Sequence, residues 1–226
     1  MTAIRPPELA PRLDYAALLL VAERVVLADT FPLSRQSGHS RMRVRTSQGA
    51  QWLSVPRAHG GRGRSGRGPR LDAVETVDDG WRRRHRAGLR AAYGMAPFYD
   101  HVAPGWSAVL DTPGSLADLT VASVRWAAGW LESSAEIVRA SELAGKPGTL
   151  AEVAAAAGVG ALVTLPESAG RDAAALPGVP VTVLRYRERE RRQAFPGFVA
   201  GLSVLDAVMN YGPAAGDVVR AGVEGP

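Results

Sequence analysis

LDYAALLLVAERVVLAD, Leu13 to Asp29, changes period halfway along, and that change sets the fold class. Leu13, Ala16, Ala17 and Leu20 recur at helical spacing, whereas Val25-Val26-Leu27 is a short continuous apolar run, as in a strand covered on both faces. A short apolar start and the proline-rich loop Arg5-Pro-Pro-Glu-Leu-Ala-Pro11 come before the helix, so the opening reads as a βαβ unit. In parallel sheets ligands sit outside the carboxyl ends of the strands. Asp29 and the polar loop Ser34-Arg-Gln-Ser-Gly-His39 therefore stand where a site is expected, although an acid at that place also serves simply to cap a turn.

Next come two alternating segments, Arg41-Met-Arg-Val-Arg-Thr46 and Gln51-Trp-Leu-Ser-Val-Pro56, around the glycine-containing turn Ser47-Gln-Gly-Ala50. This is the pattern of an antiparallel hairpin. Alternation puts Arg41, Arg43 and Arg45 on one face and Met42 and Val44 on the other, so one face is cationic and the other belongs to the core. Charged strand faces often serve only solubility and the blocking of edge pairing. The sharper reading joins the ladder to the hydroxyl, amide and imidazole of Ser34, Gln36 and His39 as a set that recognises a phosphate or carboxylate, the planar task at which arginine excels.

Beyond Pro56 the run RAHGGRGRSGRGPR, residues 57–70, has no apolar period and reads as an exposed insertion. A helix follows over Trp81–Tyr93. Trp81, His85, Leu89 and Ala92 make its apolar stripe, Arg82, Arg86 and Arg90 make a second one, and Asp78-Asp79-Gly80 supplies a negative start and a cap. The pattern is helical from Pro104 to Leu143, with a capping box at Ser115-Leu-Ala-Asp118 and with Trp106, Trp126 and Trp130 as core residues. Past Gly148 a helix around residues 150–157, a strand at 161–165, a turn at 166–170 and a strand at 179–186 alternate. The turn stands at a helix start where backbone N–H groups could meet an anion. Arg185–Arg192, RYRERERR, reads as solvated, and Gly201–Gly212 as a helix in which Ser203 and Asp206 have capping-box spacing. Asp206 and Asn210 share one face of that helix; Asp206 is expected to fix an arginine of the 41/43/45 ladder.

Composition narrows the chemistry. The 226 residues are 46% hydrophobic, enough for a substantial core, and there is no cysteine, which excludes disulfides and thiolate metal sites. Four histidines leave sparse metal chemistry, and no metal site is assigned. The formal charge of +5 rests on arginine, since Lys146 is the single lysine, and it favours anionic partners without specifying one. The apolar run Tyr15–Ala22 is cut off by Glu23-Arg24, so no membrane span is read there and the chain is placed in the cytoplasm.

Leu33-Ser-Arg-Gln-Ser-Gly-His-Ser-Arg-Met-Arg-Val44 with Gln51-Trp-Leu-Ser-Val-Pro56 resembles the signature of the WbqC-like family. The resemblance continues through Pro7, Leu9, Pro11, Leu13 and Tyr15, through Trp81, His85, Leu89, Tyr93 and Ala96-Pro97-Phe98, and through Leu202–Gly212. Five positions depart from the pattern: Pro6 for a glutamine, Asp14 for a glycine, Gly38 for an aromatic residue, and Ser40 and Thr120 each for an asparagine. The resemblance implies a bacterial protein connected with surface-polysaccharide clusters.

These readings converge on an α/β fold, a mostly parallel sheet flanked by helices with an antiparallel hairpin addition, in one domain over residues 1–226 carrying the insertion at 57–70. The expected function is a transferase-type enzyme acting on an anionic small molecule, with direct transfer between bound substrates. The candidate catalytic residues are His85, Asp29 and Asp206; the candidate substrate-binding residues are Tyr15, Ser34, Gln36, His39, Arg41, Arg43, Trp52, Arg82 and Asn210. No cofactor is assigned. The alternative is a non-enzymatic module whose basic surface binds nucleic acid or a protein partner.

Overall fold

The computed structural model describes residues 1–34, 38–58 and 68–224. Strand β1 (Thr2–Arg5), helix α1 (Leu13–Val21) and strand β2 (Arg24–Leu27) form the expected βαβ opening, with Ala3 opposite Val25 and Ile4 opposite Val26 in parallel register. The hairpin is β3 (Arg41–Thr46) and β4 (Gly49–Ser54). Helices α2 (Trp81–Tyr93), α3 (Tyr99–Leu110) and α4 (Leu116–Trp130) follow, then β5 (Glu136–Arg139), α5 (Leu150–Ala156), β6 (Leu162–Thr164), α6 (Pro166–Ala175), β7 (Val181–Val183), α7 (Val204–Tyr211) and α8 (Ala215–Arg220). The five parallel strands stand in the order β5-β2-β1-β6-β7, and β3-β4 is a separate antiparallel sheet.

Because successive strand residues face opposite ways, Ala3 and Val25 enter one apolar cluster while Ile4 and Val26 enter another. The smaller cluster lies under α5 and α6. The larger holds α1, α4, α7, α8 and the inner face of the hairpin, with Met42, Val44 and Leu53 buried. α1 is apolar on nearly every side because it lies between the sheet and both α4 and α8. Among the described residues no helix is long and apolar enough to cross a membrane.

Several local expectations change. Glu136–Arg139 is a strand rather than the end of a helical stretch: Ile137 and Val138 pair with Val25 and Val26, and β-branched residues suit that half-covered edge. The segment after β6 is helix from Pro166 onward, the proline occupying a position whose N–H would have no intrahelical partner. Ser115 and Asp118 do form a reciprocal capping box. Ser203 does not: it occupies the N-cap of α7 with its hydroxyl buried and unbonded, because Asp206 is engaged elsewhere. Gly80 caps α2 by its left-handed backbone (φ 80°) and not through an acidic side chain. Arg57 and Thr76 form an isolated bridge, while residues 59–67 of the glycine- and arginine-rich run lie outside the described residues.

Candidate functional site

The chain leaves β1 toward β2 on one side, and it places β6 on the other. Connections at the carboxyl ends of β1 and β6 therefore diverge, which opens a crevice at the point where strand order reverses. A cleft of about 1040 Å³ lies there. Three walls enclose it: the loop following β1, the first turns of α6 following β6, and the outer face of the hairpin.

Arg5, the last residue of β1, reaches across to the α6 wall. One of its amino groups donates to Ser168 Oγ at 2.7 Å and the other to Glu167 at 3.1 Å. Arg171 donates to the same hydroxyl at 3.0 Å and to Asp172, which in turn accepts from Thr164 at 2.6 Å. The loop after β1 is tied down on the other side, where Leu9 N–H donates to the Gly38 carbonyl at 2.9 Å. His39 Nδ1 lies 2.8 Å from the Pro7 carbonyl. A carbonyl only accepts, so Nδ1 carries the proton. Burial pushes the His39 pKa down, which keeps the ring neutral at physiological pH.

On the hairpin wall Arg43 stands directly opposite Trp52 in the antiparallel register, and Arg41 is two residues away on the same face. Their guanidinium carbons lie 5.6 and 4.6 Å from the indole centroid, within cation–π range, and Trp52 is nevertheless 49% exposed. Arg43 also donates to the Gly201 carbonyl at 3.3 Å. The cleft is lined by five arginines (5, 12, 41, 43 and 171) against three carboxylates (Glu8, Glu167 and Asp172), so its balance is cationic. Among the described residues no group of three or more metal-ligating side chains is gathered.

Of the residues singled out in the sequence, Ser34, His39, Arg41, Arg43 and Trp52 meet in this cleft. Tyr15 lies beneath it, fully buried, its hydroxyl donating to the Pro6 carbonyl at 3.2 Å and its ring 5.8 Å from the Arg5 guanidinium. Gln36 lies outside the described residues.

The other candidates lie elsewhere. Asp29 is buried at the end of β2, and its carboxylate accepts from Arg139 at 2.7 Å, Ser141 N–H at 2.9 Å and Ser141 Oγ at 2.6 Å, which joins the ends of β2 and β5. His85 stacks edge-on against Trp81 and lies with Nε2 at 3.0 Å from the Ser54 carbonyl, holding α2 to the hairpin; burial lowers its pKa. Arg82 donates to the Leu110 carbonyl at 2.9 Å and so ties α2 to the end of α3. Asn210 donates to the Asp206 carbonyl one turn earlier.

Two pairing expectations are corrected. Asp206 does not fix the arginine ladder. Its Oδ2 accepts from Arg191 at 2.8 Å and from Gln193 at 3.0 Å, so the run RYRERERR, expected in solvent, delivers a buried arginine to the α7 helix. The ladder itself is split: Arg45 is 4% exposed, because residues 195–196 cross that end of the hairpin. It donates to the Thr46, Gly49 and Pro196 carbonyls.

Arg5, Glu8, Glu167 and Arg171 were not singled out as site residues. The signal existed, since the carboxyl-end rule applied to β1 and β6, and not only to β2, points directly at Arg5 and at Pro166-Glu-Ser168. The chain matches the model of the WbqC-like protein family over residues 6–218. No curated protein and no solved structure matches it.

Proposed function

Since the chain belongs to the WbqC-like protein family, we propose that it is a transferase-type enzyme whose β1/β6 cleft holds a phosphate- or carboxylate-bearing small molecule, in the modification of surface polysaccharide. The observation that carries this reading is the excess of arginine over carboxylate in a crevice at the strand-order reversal, with an exposed indole at its rim. Guanidinium forks match oxyanions bidentately, and a half-exposed indole offers a face to a sugar or a base. The reaction that suits these side chains is direct transfer between two bound substrates, in which orientation supplies the advantage. The polysaccharide context comes from the family resemblance alone.

The experiment is a thermal-shift screen across nucleotides, nucleotide sugars and acyl donors, repeated on Arg43→Lys. A specific ligand at a hundred times its Kd stabilises the folded state by about 2.7 kcal/mol, and the shift should shrink in the variant, which keeps the charge and loses the fork. Binding of many polyanions with a steep salt dependence, indifferent to Arg43→Lys, would instead mark a diffuse nucleic-acid surface.

A further inference from the structure

Glu8 is the one carboxylate of the cleft for which no described residue supplies a hydrogen bond. It projects from the loop between β1 and α1 and is half-buried. The charged groups facing it are Arg5 from β1, Arg12 and Asp14 at the start of α1, and Glu167 from α6. Both nearby arginines are turned elsewhere: Arg5 spends its amino groups on Ser168 and Glu167, and Arg12 holds Asp14. Arg5 Nε, close by in the same wall, is buried without a partner. On the remaining side the carboxyl packs under Gly38, so tightly that a Cβ at that position would stand 2.7 Å from Oε2 and 2.9 Å from the carboxyl carbon. Without a donor among the described residues, the half-buried carboxylate keeps only partial contact with solvent, which a donor on a ligand would replace. Here the open direction is the cleft.

We propose, building on the anion-binding reading above, that Glu8 receives the hydrogen-bond donor of the bound molecule, a hydroxyl or amine N–H carried beside the anion that the arginines hold. The cleft then has two ends of opposite demand. Arg41 and Arg43 on the hairpin take the oxyanion, and the carboxyl under Gly38 takes the donor, so the ligand class is a phosphorylated sugar or amino sugar and not a bare anion. The same contact positions Glu8 to accept the proton of that hydroxyl or amine, the electron pair of the O–H or N–H bond staying on the ligand atom and the proton resting on the carboxylate. Burial raises the pKa of Glu8, which suits that acceptor role near neutral pH.

Titration calorimetry on the full chain with ethyl phosphate, glucose 6-phosphate and glucosamine 6-phosphate tests this. The wild type should prefer at least one sugar phosphate over ethyl phosphate by about tenfold or more, the scale of a charge-assisted hydrogen bond, and the two sugars tell hydroxyl from amine. Glu8→Ala should abolish that preference while binding ethyl phosphate at least as tightly, because a repulsive charge has gone. Gly38→Ala, which leaves the carboxyl but forces it aside, should lose the preference as well. A preference that survives Glu8→Ala overturns the assignment, as does a variant that loses stability and all three ligands together, the signature of a structural role. If none of the three ligands binds the wild type, the anion site falls and this inference falls with it; ethyl phosphate binding without any sugar preference removes the inference alone.

Discussion

Asp206, fully buried, and Glu8, half-buried, are both acids beside arginines, yet one is framework and the other faces an open cleft. Around Asp206 the contacts form an enclosed, ion-paired cluster, although Asp206 Oδ1 and Arg191 Nε are buried there with no hydrogen bond among the described residues. Arg191 bridges Asp206 and Glu188, Glu188 accepts from Gly201 N–H at 2.7 Å, Gln193 bonds Asp206 and both sides of Val199, and Phe198 lies 5.4 Å from the Arg191 guanidinium. Around Glu8 each arginine is committed to some other oxygen. The same residue types thus do opposite things, and the distinction is whether the carboxylate is ion-paired inside the fold or opens on a cleft without a donor among the described residues.

The largest effect should come from opening the closed cluster. Asp206→Ala leaves Arg191 with Glu188 alone and takes the acceptor from Gln193, and it should destabilise by about 3–5 kcal/mol in urea unfolding, as removal of one partner from a buried pair does. A loss under about 1 kcal/mol would mean that the α7 cluster is no more framework than the cleft, and the comparison would fail.

The arginine ladder carries the same contrast within one strand. Arg45→Ala leaves carbonyls covered by residues 195–196 without their donor and should cost about 1–3 kcal/mol in stability. Arg43→Lys should stay within about 0.5 kcal/mol of wild type in unfolding while weakening anion binding about tenfold by calorimetry. Equal stability losses at both positions would erase the division between framework and site.

Histidine sharpens it through pH. His39 and His85 are both buried with pKa values held below 6.5, mainly by desolvation. Below pH 6.5 the unfolded chain binds protons that the folded chain refuses, so stability must fall as pH falls from 6.5 toward the folded values. Each contributes a slope of up to about 1.4 kcal/mol per pH unit. Urea unfolding between pH 7.5 and 5.5 measures it, and His85→Gln or His39→Gln should each remove part of the slope. Only His39 lines the cleft, so a saturating ligand should change the His39 share and leave that of His85 alone.

The smallest effects distinguish two serines at helix starts. Ser115→Ala should cost about 1 kcal/mol, because its capping box is formed, whereas Ser203→Ala should be neutral or stabilising by up to about 1 kcal/mol, since it removes a buried hydroxyl that bonds nothing. Equal losses in thermal unfolding would show that Ser203 is satisfied in solution.

Periodicity alone made much of this molecule legible. The βαβ opening, the hairpin with Met42 and Val44 inward, the α2 stripe of Trp81, His85 and Leu89, and the Ser115 cap all follow from spacings of a few residues, and each is present. So were five members of the cleft, because alternation puts Arg41, Arg43 and Trp52 on the outer face and the preceding loop adds Ser34 and His39. Charge patterning was the weaker guide. RYRERERR has the composition of a solvated run, but Arg191 is buried against Asp206; Asp29 stands at a strand end like a catalytic acid, but Arg139 and Ser141 consume it.

What the sequence determined by itself is which residues form each element and which face of each is apolar, since both depend on neighbours a few positions away, and which family the chain resembles, since that rests on motifs read in order along the chain. Only the tertiary structure decided which arginine meets which carboxylate. Arg5 finds Ser168 across 163 positions and Arg139 finds Asp29 across 110, distances over which no local period carries information. The choice of partner sets the role of each charge, because a buried charge that is paired holds the fold together and one that is left over in a cleft is available to a ligand.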